Sequence, residues 1–139
     1  SNRTKKRAED LKKIYTDLSI IDWEDMSDPT TFEVCNWGMF INATSIGLKK
    51  NEEIKLGYFN DPPDSAYRKN NKGLGLNKLF YDVIYNPPKT NFLSKAKQLG
   101  NQIENGKMMF VYQAQLAFEI WHNIKPSIDK KVLQLLDND

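Results

Sequence analysis

The chain is poor in the residue types that most often carry chemistry by themselves, with one cysteine, Cys35, and one histidine, His122. A single cysteine excludes an intramolecular disulfide framework and fits a reducing compartment. A single histidine without triad or metal partners in the sequence argues against a metal site and against nucleophilic catalysis. We therefore expect the function to depend on other kinds of residue.

Long apolar runs and a strong excess of one charge are also missing. No segment approaches the ~18 apolar residues of a membrane span, and the charged first residues are not followed by the apolar region of a signal peptide. The formal net charge is only +2, too small to favour nucleic acid as a partner. With 40% hydrophobic residues, the chain is expected to form one cytoplasmic domain that binds neither membranes nor nucleic acid.

Hydrophobic spacing in the first half predicts a helix followed by strands. An amphipathic helix is expected from Thr4 to about Leu18, then strands at Leu18–Ile21 and Met39–Thr44, with a turn and a short helix between them. Residues 47–78 are rich in Gly, Pro, Asn and Lys and are expected to be mostly loop.

The second half continues the alternation. The clearest strand is Leu79–Tyr85, and a short helix closed by Gly100 follows it. The stretch NQIENG is compatible with a strand or a turn, and helices are expected from Met108 to about His122 and from Ser127 to Leu136. Strands that alternate with helices predict an α/β fold with a parallel sheet, whose ligands bind beyond the carboxyl ends of the strands.

Four motifs occur together along the chain. They are NRTKKR from Asn2, NATSIG from Asn42, YDVIYNPPKT from Tyr81 and NGKMMFVYQAQLAFEIW from Asn105. In order and approximate spacing they resemble the C-terminal, cofactor-binding half of the shikimate dehydrogenase family, over residues 1 to about 126. The resemblance implies a Rossmann-like domain of an NADP-dependent oxidoreductase that reduces 3-dehydroshikimate to shikimate, in the biosynthesis of chorismate and the aromatic amino acids.

The basic cluster at the start of the first predicted helix is electrostatically unusual. Each cation near a helix N-terminus is disfavoured by ~0.3 to 1 kcal/mol, whereas a phosphate binds well to guanidinium groups and helix N-termini. Alone, the cluster is more simply interpreted as a solvated basic terminus. The resemblance instead implies that it binds the 2′-phosphate of NADP through Asn2, Arg3, Thr4 and Arg7. Lys5 and Lys6 belong to the same basic cluster and are expected to bind the cofactor with them.

The loops after the two main strands are the other cofactor candidates. NATSIG supplies small residues and hydroxyls after a strand, a composition that suits an ordinary turn as well as a ligand contact. The resemblance implies that this loop lies along the cofactor, lined by Asn42, Thr44 and Ser45. It also implies nicotinamide contacts at Val83, Gly106 and Met109.

Two residues are candidates for binding the small-molecule substrate. Tyr85 ends the strongest strand, where the alternative is an aromatic ring packed on the sheet. Gln113 interrupts an apolar helix face, so we expect a buried amide whose partner is either a backbone carbonyl or a ligand hydroxyl, because an unpaired one costs ~1 to 3 kcal/mol. The resemblance makes both side chains substrate contacts. The aromatic residues expected in the core are Phe110, Phe118 and Trp121.

The sequence departs from the family pattern in two ways. Met108 stands where the family usually has a second glycine, which bears on the placement of the nicotinamide ring. No G-x-G-x-x-G loop is present, and the substrate domain that supplies the proton-handling lysine and aspartate in the family is not among these residues. We therefore expect residues 1–139 to be the C-terminal NADP-binding domain of a longer polypeptide, inactive when assayed alone.

In the Rossmann order 3-2-1-4-5-6, the resemblance makes Leu18–Ile21 strand three, Met39–Thr44 strand four and Leu79–Tyr85 strand five. The first two strands would then be missing from the sheet. Two other functions remain open: a quinate-type dehydrogenase of the same superfamily, and a non-catalytic nucleotide-binding module. A homodimer is compatible with the sequence, which does not determine the oligomeric state.

Overall fold

The computed structural model describes residues 1–28, 31, 37–60 and 77–136. Cys35 and residues 61–76, half of the predicted loop, lie outside the described residues. The elements are α1 (Lys5–Ile14), a 3₁₀ helix (Glu24–Ser27), β1 (Met39–Asn42), α2 (Gly57–Asn60), β2 (Leu79–Asp82), α3 (Asn91–Gln98), β3 (Gln102–Asn105), α4 (Lys107–His122) and α5 (Lys130–Leu135). None of the helices in the described ranges is long and apolar enough to cross a membrane.

The three strands form one parallel sheet in the order β1-β2-β3. The register pairs Asn42 with Asp82 and Asp82 with Asn105, so the three strands end level with one another. Helices connect and flank them, and α3 packs against β2 and β3. The predicted α/β fold with a parallel sheet is confirmed, and NQIENG, which the sequence left as strand or turn, contains β3.

The strands are shorter than predicted because polar side chains at their ends redirect the backbone. The backbone N–H of Thr44 donates to the side chain of Asn42, and that of Ile84 donates to the side chain of Asp82, at 3.0 and 3.1 Å. Each bond bends the chain two residues after the strand, as Asx turns do. Both post-strand loops therefore start from a buried polar residue.

The prediction of a strand at Leu18–Ile21 is wrong. The segment is irregular, and β1 pairs only with β2 among the described residues. An apolar run becomes a strand only when a neighbour completes its hydrogen-bond ladder. Here α1 ends early, at Ile14, and Ile21 packs against the core from irregular backbone instead.

The core lies on one face of the sheet around Phe80, whose side chain is fully buried. The ring centroids of Phe92 from α3 and Tyr58 from α2 each lie 5.4 Å from that of Phe80, and the ring of Phe40 in β1 stacks on it at 5.9 Å. The buried cluster consists of Met26, Ile54, Leu56, Tyr58, Phe80, Phe92, Leu93 and Ala96. Burial on this scale is the main stabilising contribution.

The expectation that the aromatic residues of α4 belong to the core is wrong. Phe110, Phe118 and Trp121 are 38%, 41% and 76% exposed. Gln113 is exposed as well, so the predicted buried amide is not found. The helix has apolar residues all around it and buries only Val111, because few other described residues pack against it.

Candidate functional site

One cavity of about 360 Å³ brings together the first and second motifs. The predicted site residues that line it are Asn2, Arg3, Thr4, Arg7, Asn42, Thr44 and Ser45. Its apolar side is formed by residues that the sequence did not single out, namely Trp23, Met26, Phe40, Ile41, Ile46 and Ile54. Residues about 40 positions apart in the chain therefore share one concave surface beyond the carboxyl end of β1.

The segment before α1 is arranged as a helix N-terminus facing this cavity. The backbone N–H of Thr4 donates to the side-chain oxygen of Asn2 at 2.8 Å, which shapes the turn into the helix. The side chain of Thr4 makes no capping bond, and the first turn contains no acidic residue. The backbone N–H groups of this turn thus lack the side-chain acceptor that usually satisfies them, and they favour an anion.

The basic residues of the cluster divide into two pairs. Arg3 and Arg7 line the cavity, and no acidic side chain lies within ion-pair distance of either in the described part of the chain. Lys5 points elsewhere, because its Nζ lies 2.7 Å from Oδ2 of Asp22. That hydrogen bond, with the charge of Asp22, raises the pKa of Lys5 above its usual value of 10.5. Lys6 is exposed and does not line the cavity.

The opposite wall is the loop after β1, which is held by its own hydrogen bonds. The side chain of Asn42 accepts from the backbone N–H and the hydroxyl of Thr44, at 3.0 and 2.8 Å, and its amide donates to the carbonyl of Ile46 at 3.1 Å. The hydroxyl of Thr44 accepts in turn from the backbone N–H of Ile46 at 3.1 Å. These bonds order the wall around a buried residue without any ligand.

The third and fourth motifs meet where β2 ends and α4 begins. Gly106 precedes α4, and its backbone N–H donates to the carbonyl of Ile84 at 3.3 Å. A Cβ atom on Gly106 would lie 2.0 Å from the carbonyl oxygen of Val83, so only glycine permits this approach. Met109, in the first turns of α4, is half-buried beside this junction. The predicted nicotinamide contacts Val83 and Gly106 thus touch each other.

The two predicted substrate residues are both accessible. The ring of Tyr85 is 37% exposed and stacks on Phe110 of α4, with centroids 4.6 Å apart and planes 22° from parallel. The stack orients Tyr85 beyond the carboxyl end of β2 and gives Phe110 a role that the sequence analysis missed. Gln113 lies one turn along α4 from Phe110 with its side chain exposed, so its amide is available to a ligand.

Sequence reasoning also missed the residue that connects these two areas. Asp82 is completely buried at the end of β2, and its carboxylate accepts from the amide of Asn42 at 3.0 Å. The signal was present, because an aspartate inside the most apolar stretch of the chain, LFYDVIY, is unexpected unless it has partners.

Comparison with known proteins supports the resemblance that the four motifs indicated. A family model described as Shikimate 5'-dehydrogenase C-terminal domain matches residues 109–130. The shikimate dehydrogenase (NADP(+)) of Pelagibacter ubique strain HTCC1062 is 46% identical over 137 residues, which are 99% of this chain and 44% of that protein. The chain therefore spans less than half of that relative's length.

Solved structures give the same picture of the fold. The shikimate dehydrogenase of Aquifex aeolicus is 25% identical and superposes with a TM-score of 0.68. The aligned residues are 99% of this chain and 43% of the Aquifex aeolicus chain. The ligand-free 5-ketofructose reductase of Gluconobacter sp. strain CHM43 is 32% identical, with a TM-score of 0.52 over 73% of this chain and 32% of its own. In its sequence relatives and its fold, this chain matches the C-terminal half of the shikimate dehydrogenases.

Proposed function

We propose that residues 1–139 form the C-terminal NADP-binding domain of a shikimate dehydrogenase, a partial Rossmann domain, and that the whole protein reduces 3-dehydroshikimate to shikimate with NADPH. The observation that carries the proposal is the shared cavity, in which Arg3 and Arg7 face the loop after β1. The name of the Pelagibacter ubique relative, which specifies NADP(+), supports the same cofactor.

The cavity has the chemistry that a 2′-phosphate requires. Two guanidinium groups can donate paired hydrogen bonds to phosphate oxygens, and the helix dipole and the N–H groups of Lys5 and Lys6 at the start of α1 add to the attraction. Because no carboxylate neutralises Arg3 or Arg7 in the described part of the chain, a bound phosphate would relieve the mutual repulsion of these cations. Lys5 is held by Asp22 and Lys6 lies outside the cavity, so we expect both to contribute only through long-range charge.

The second area would hold the reacting end of the cofactor and the substrate. NADPH supplies the hydride when it is bound. Val83 and Gly106 would border the nicotinamide ring, Gly106 through its backbone, since the carbonyl of Val83 occupies the space of any side chain at position 106. The hydroxyl of Tyr85 and the amide of Gln113, both accessible, would bind and orient the substrate hydroxyl groups. We propose no proton-transfer residue within these 139 residues.

Calorimetric titration of the 139-residue chain tests the cofactor proposal. We expect NADP⁺ and adenosine 2′,5′-bisphosphate to bind, and NAD⁺ and AMP to bind at least tenfold more weakly. Arg3→Gln should weaken NADP⁺ by about 10- to 100-fold, because a hydrogen bond to a charged group contributes about 1.5 to 3 kcal/mol. Lys12→Gln is the matched control: it removes one positive charge from the exposed surface of α1, away from the cavity. Equal affinity for the phosphorylated and unphosphorylated nucleotides would contradict the proposal.

A chimera tests the activity. Residues 1–139 would replace the matching 44% of the Pelagibacter ubique enzyme, and NADP⁺ reduction would be followed with shikimate and with quinate. We expect turnover with shikimate, abolished in a Tyr85→Phe, Gln113→Ala double variant, and none from the 139-residue chain alone. A higher rate with quinate would favour the quinate-type alternative, and NADP⁺ binding without turnover in the chimera would favour the non-catalytic module. The cytoplasmic location stays a prediction.

A further inference from the structure

Asp82 is a fully buried ionisable residue that the proposed chemistry does not use. It occupies the middle of a row of three polar residues, Asn42, Asp82 and Asn105, which the register places side by side at the carboxyl ends of the three strands. Each of them bonds to a segment beyond the sheet, and Asn105 does so through its amide, which donates to the carbonyl of Pro88 at 2.9 Å.

The carboxylate of Asp82 is satisfied by donors from three different segments. Its Oδ1 accepts from the amide of Asn42 at 3.0 Å and from the backbone N–H of Ile84 at 3.1 Å. Its Oδ2 accepts from the hydroxyl of Thr90, the N-cap of α3, at 2.7 Å. Asn42 and Thr90 are themselves only 2% exposed, so the whole network is screened from water.

The segments joined by Asp82 carry the proposed ligand-binding residues. Asn42 folds the loop that forms one wall of the cavity, and Ile84 lies between the proposed nicotinamide contact Val83 and Tyr85. The two loops also touch at Gly47, whose φ of +116° suits glycine and where a Cβ atom would lie 3.3 Å from the methyl group of Thr90. The carboxylate is thus bonded to Ile84 in the loop after β2, to Thr90 at the start of α3 and, through Asn42, to the loop after β1.

Stability alone gives no reason for a carboxylate here. An apolar residue of similar size on the core face of a strand would avoid the desolvation of a buried charge, and such replacements are often neutral or stabilising. A network in which every donor and acceptor is satisfied does, however, define one relative position of the segments that it joins. A leucine at position 82 would make none of these hydrogen bonds, so they would no longer define the relative position of the two loops.

We propose that Asp82 is a positioning residue. It holds the loop after β1 and the loop after β2 in one fixed relation, so that the phosphate end and the nicotinamide end of a single cofactor molecule are bound at the correct separation. This inference rests on the proposed function. It predicts that loss of the network affects ligands that span both loops more than ligands confined to the cavity.

Three variants of the 139-residue chain test the role by titration with NADP⁺ and with adenosine 2′,5′-bisphosphate, which lacks the nicotinamide half. We expect Asp82→Ala to weaken NADP⁺ at least tenfold, and by at least five times the factor seen for the bisphosphate. Asp82→Asn keeps the Oδ1 bonds and should stay within about threefold of the wild type. Leu93→Ala, in the core of α3 and outside both loops, is the destabilised control and should leave both affinities unchanged in the folded protein.

Equal losses for the two ligands in Asp82→Ala, or the same losses in Leu93→Ala, would show a merely structural role and overturn the inference. If Asp82→Ala does not fold, Thr90→Val replaces it, because valine is isosteric and removes only the Oδ2 bond and the α3 cap. The factor by which its affinity for NADP⁺ falls should then be about three times the factor for adenosine 2′,5′-bisphosphate. Equal factors for the two ligands would again contradict the inference. A wild-type chain that does not prefer the 2′-phosphorylated nucleotides would instead refute the proposed function, independently of Asp82.

Discussion

Gly106→Ala tests the close contact between the start of α4 and the end of β2. The new methyl group would lie 2.0 Å from the carbonyl oxygen of Val83, 2.6 Å from its carbonyl carbon and 3.1 Å from its Cα. All three are backbone atoms at the end of a strand paired on both sides, so no side-chain rotation can relieve the overlap. The start of α4 must move away from Val83.

Two effects of opposite sign determine how much Gly106→Ala changes the free energy of unfolding. Gly106 has φ −75° and ψ 2°, a conformation open to alanine, and Gly→Ala at such a position would stabilise the protein by about 0.4 to 1 kcal/mol through the unfolded state. Overpacking against atoms that cannot yield costs about 1 to 3 kcal/mol, occasionally more. The steric cost exceeds the entropic gain, so we expect a net loss of about 1 to 2 kcal/mol in the free energy of unfolding.

Urea and thermal unfolding followed by circular dichroism measure this loss. At about 4 °C per kcal/mol for a domain of this size, the melting temperature should fall by about 4 to 8 °C. Gly38→Ala is the control, because no atom of the described residues lies within 4 Å of its added Cβ, and it should be neutral or slightly stabilising. A Gly106→Ala protein as stable as the Gly38→Ala protein would refute the reasoning.

Two further outcomes are expected. Asp22→Asn should lower the raised pKa of Lys5 towards 10.5 in an NMR titration, whereas the pKa of Lys13, which is paired with Asp10, should not change. Because the pKa of Lys5 is raised in the folded protein, the pair adds stability that is present at neutral pH and lost as the pH rises through that pKa. An unchanged pKa of Lys5 in Asp22→Asn would show that the pair does not form in solution. Trp121→Phe should remove the tryptophan emission most readily quenched by acrylamide, because Trp121 is 76% exposed, and an unchanged quenching constant would mean that its ring is covered in solution.

The sequence predicted most elements because their signals are local. Asn-Pro-Pro after LFYDVIY and Gly100, with φ +79°, after α3 both act within a few residues. The same local reasoning failed at Leu18–Ile21, because strand formation depends on a distant partner. It failed again at Trp121, since apolar spacing shows that a helix has an apolar surface but not what packs on it.

The same distinction between local and distant signals applies to the candidate site. The motifs identified Arg3 and Arg7, yet the sequence could not show that Lys5, between them, is held by an ion pair outside the cavity. Gln113 was selected by an argument from burial that the structure contradicts, and it stays a candidate because its amide is accessible. Asp82 was passed over as part of a strand, because its three partners lie 2, 8 and 40 residues away.

By itself, the sequence determined the fold class, the family resemblance and the composition of the basic cluster at the start of α1, because periodicity, turn residues and motif order are properties of neighbouring residues. Only the tertiary structure decided which cations enter the cavity, how closely Gly106 approaches Val83 and that the carboxylate of Asp82 joins the two loops. These features depend on distances of a few ångströms between segments that the chain order keeps far apart.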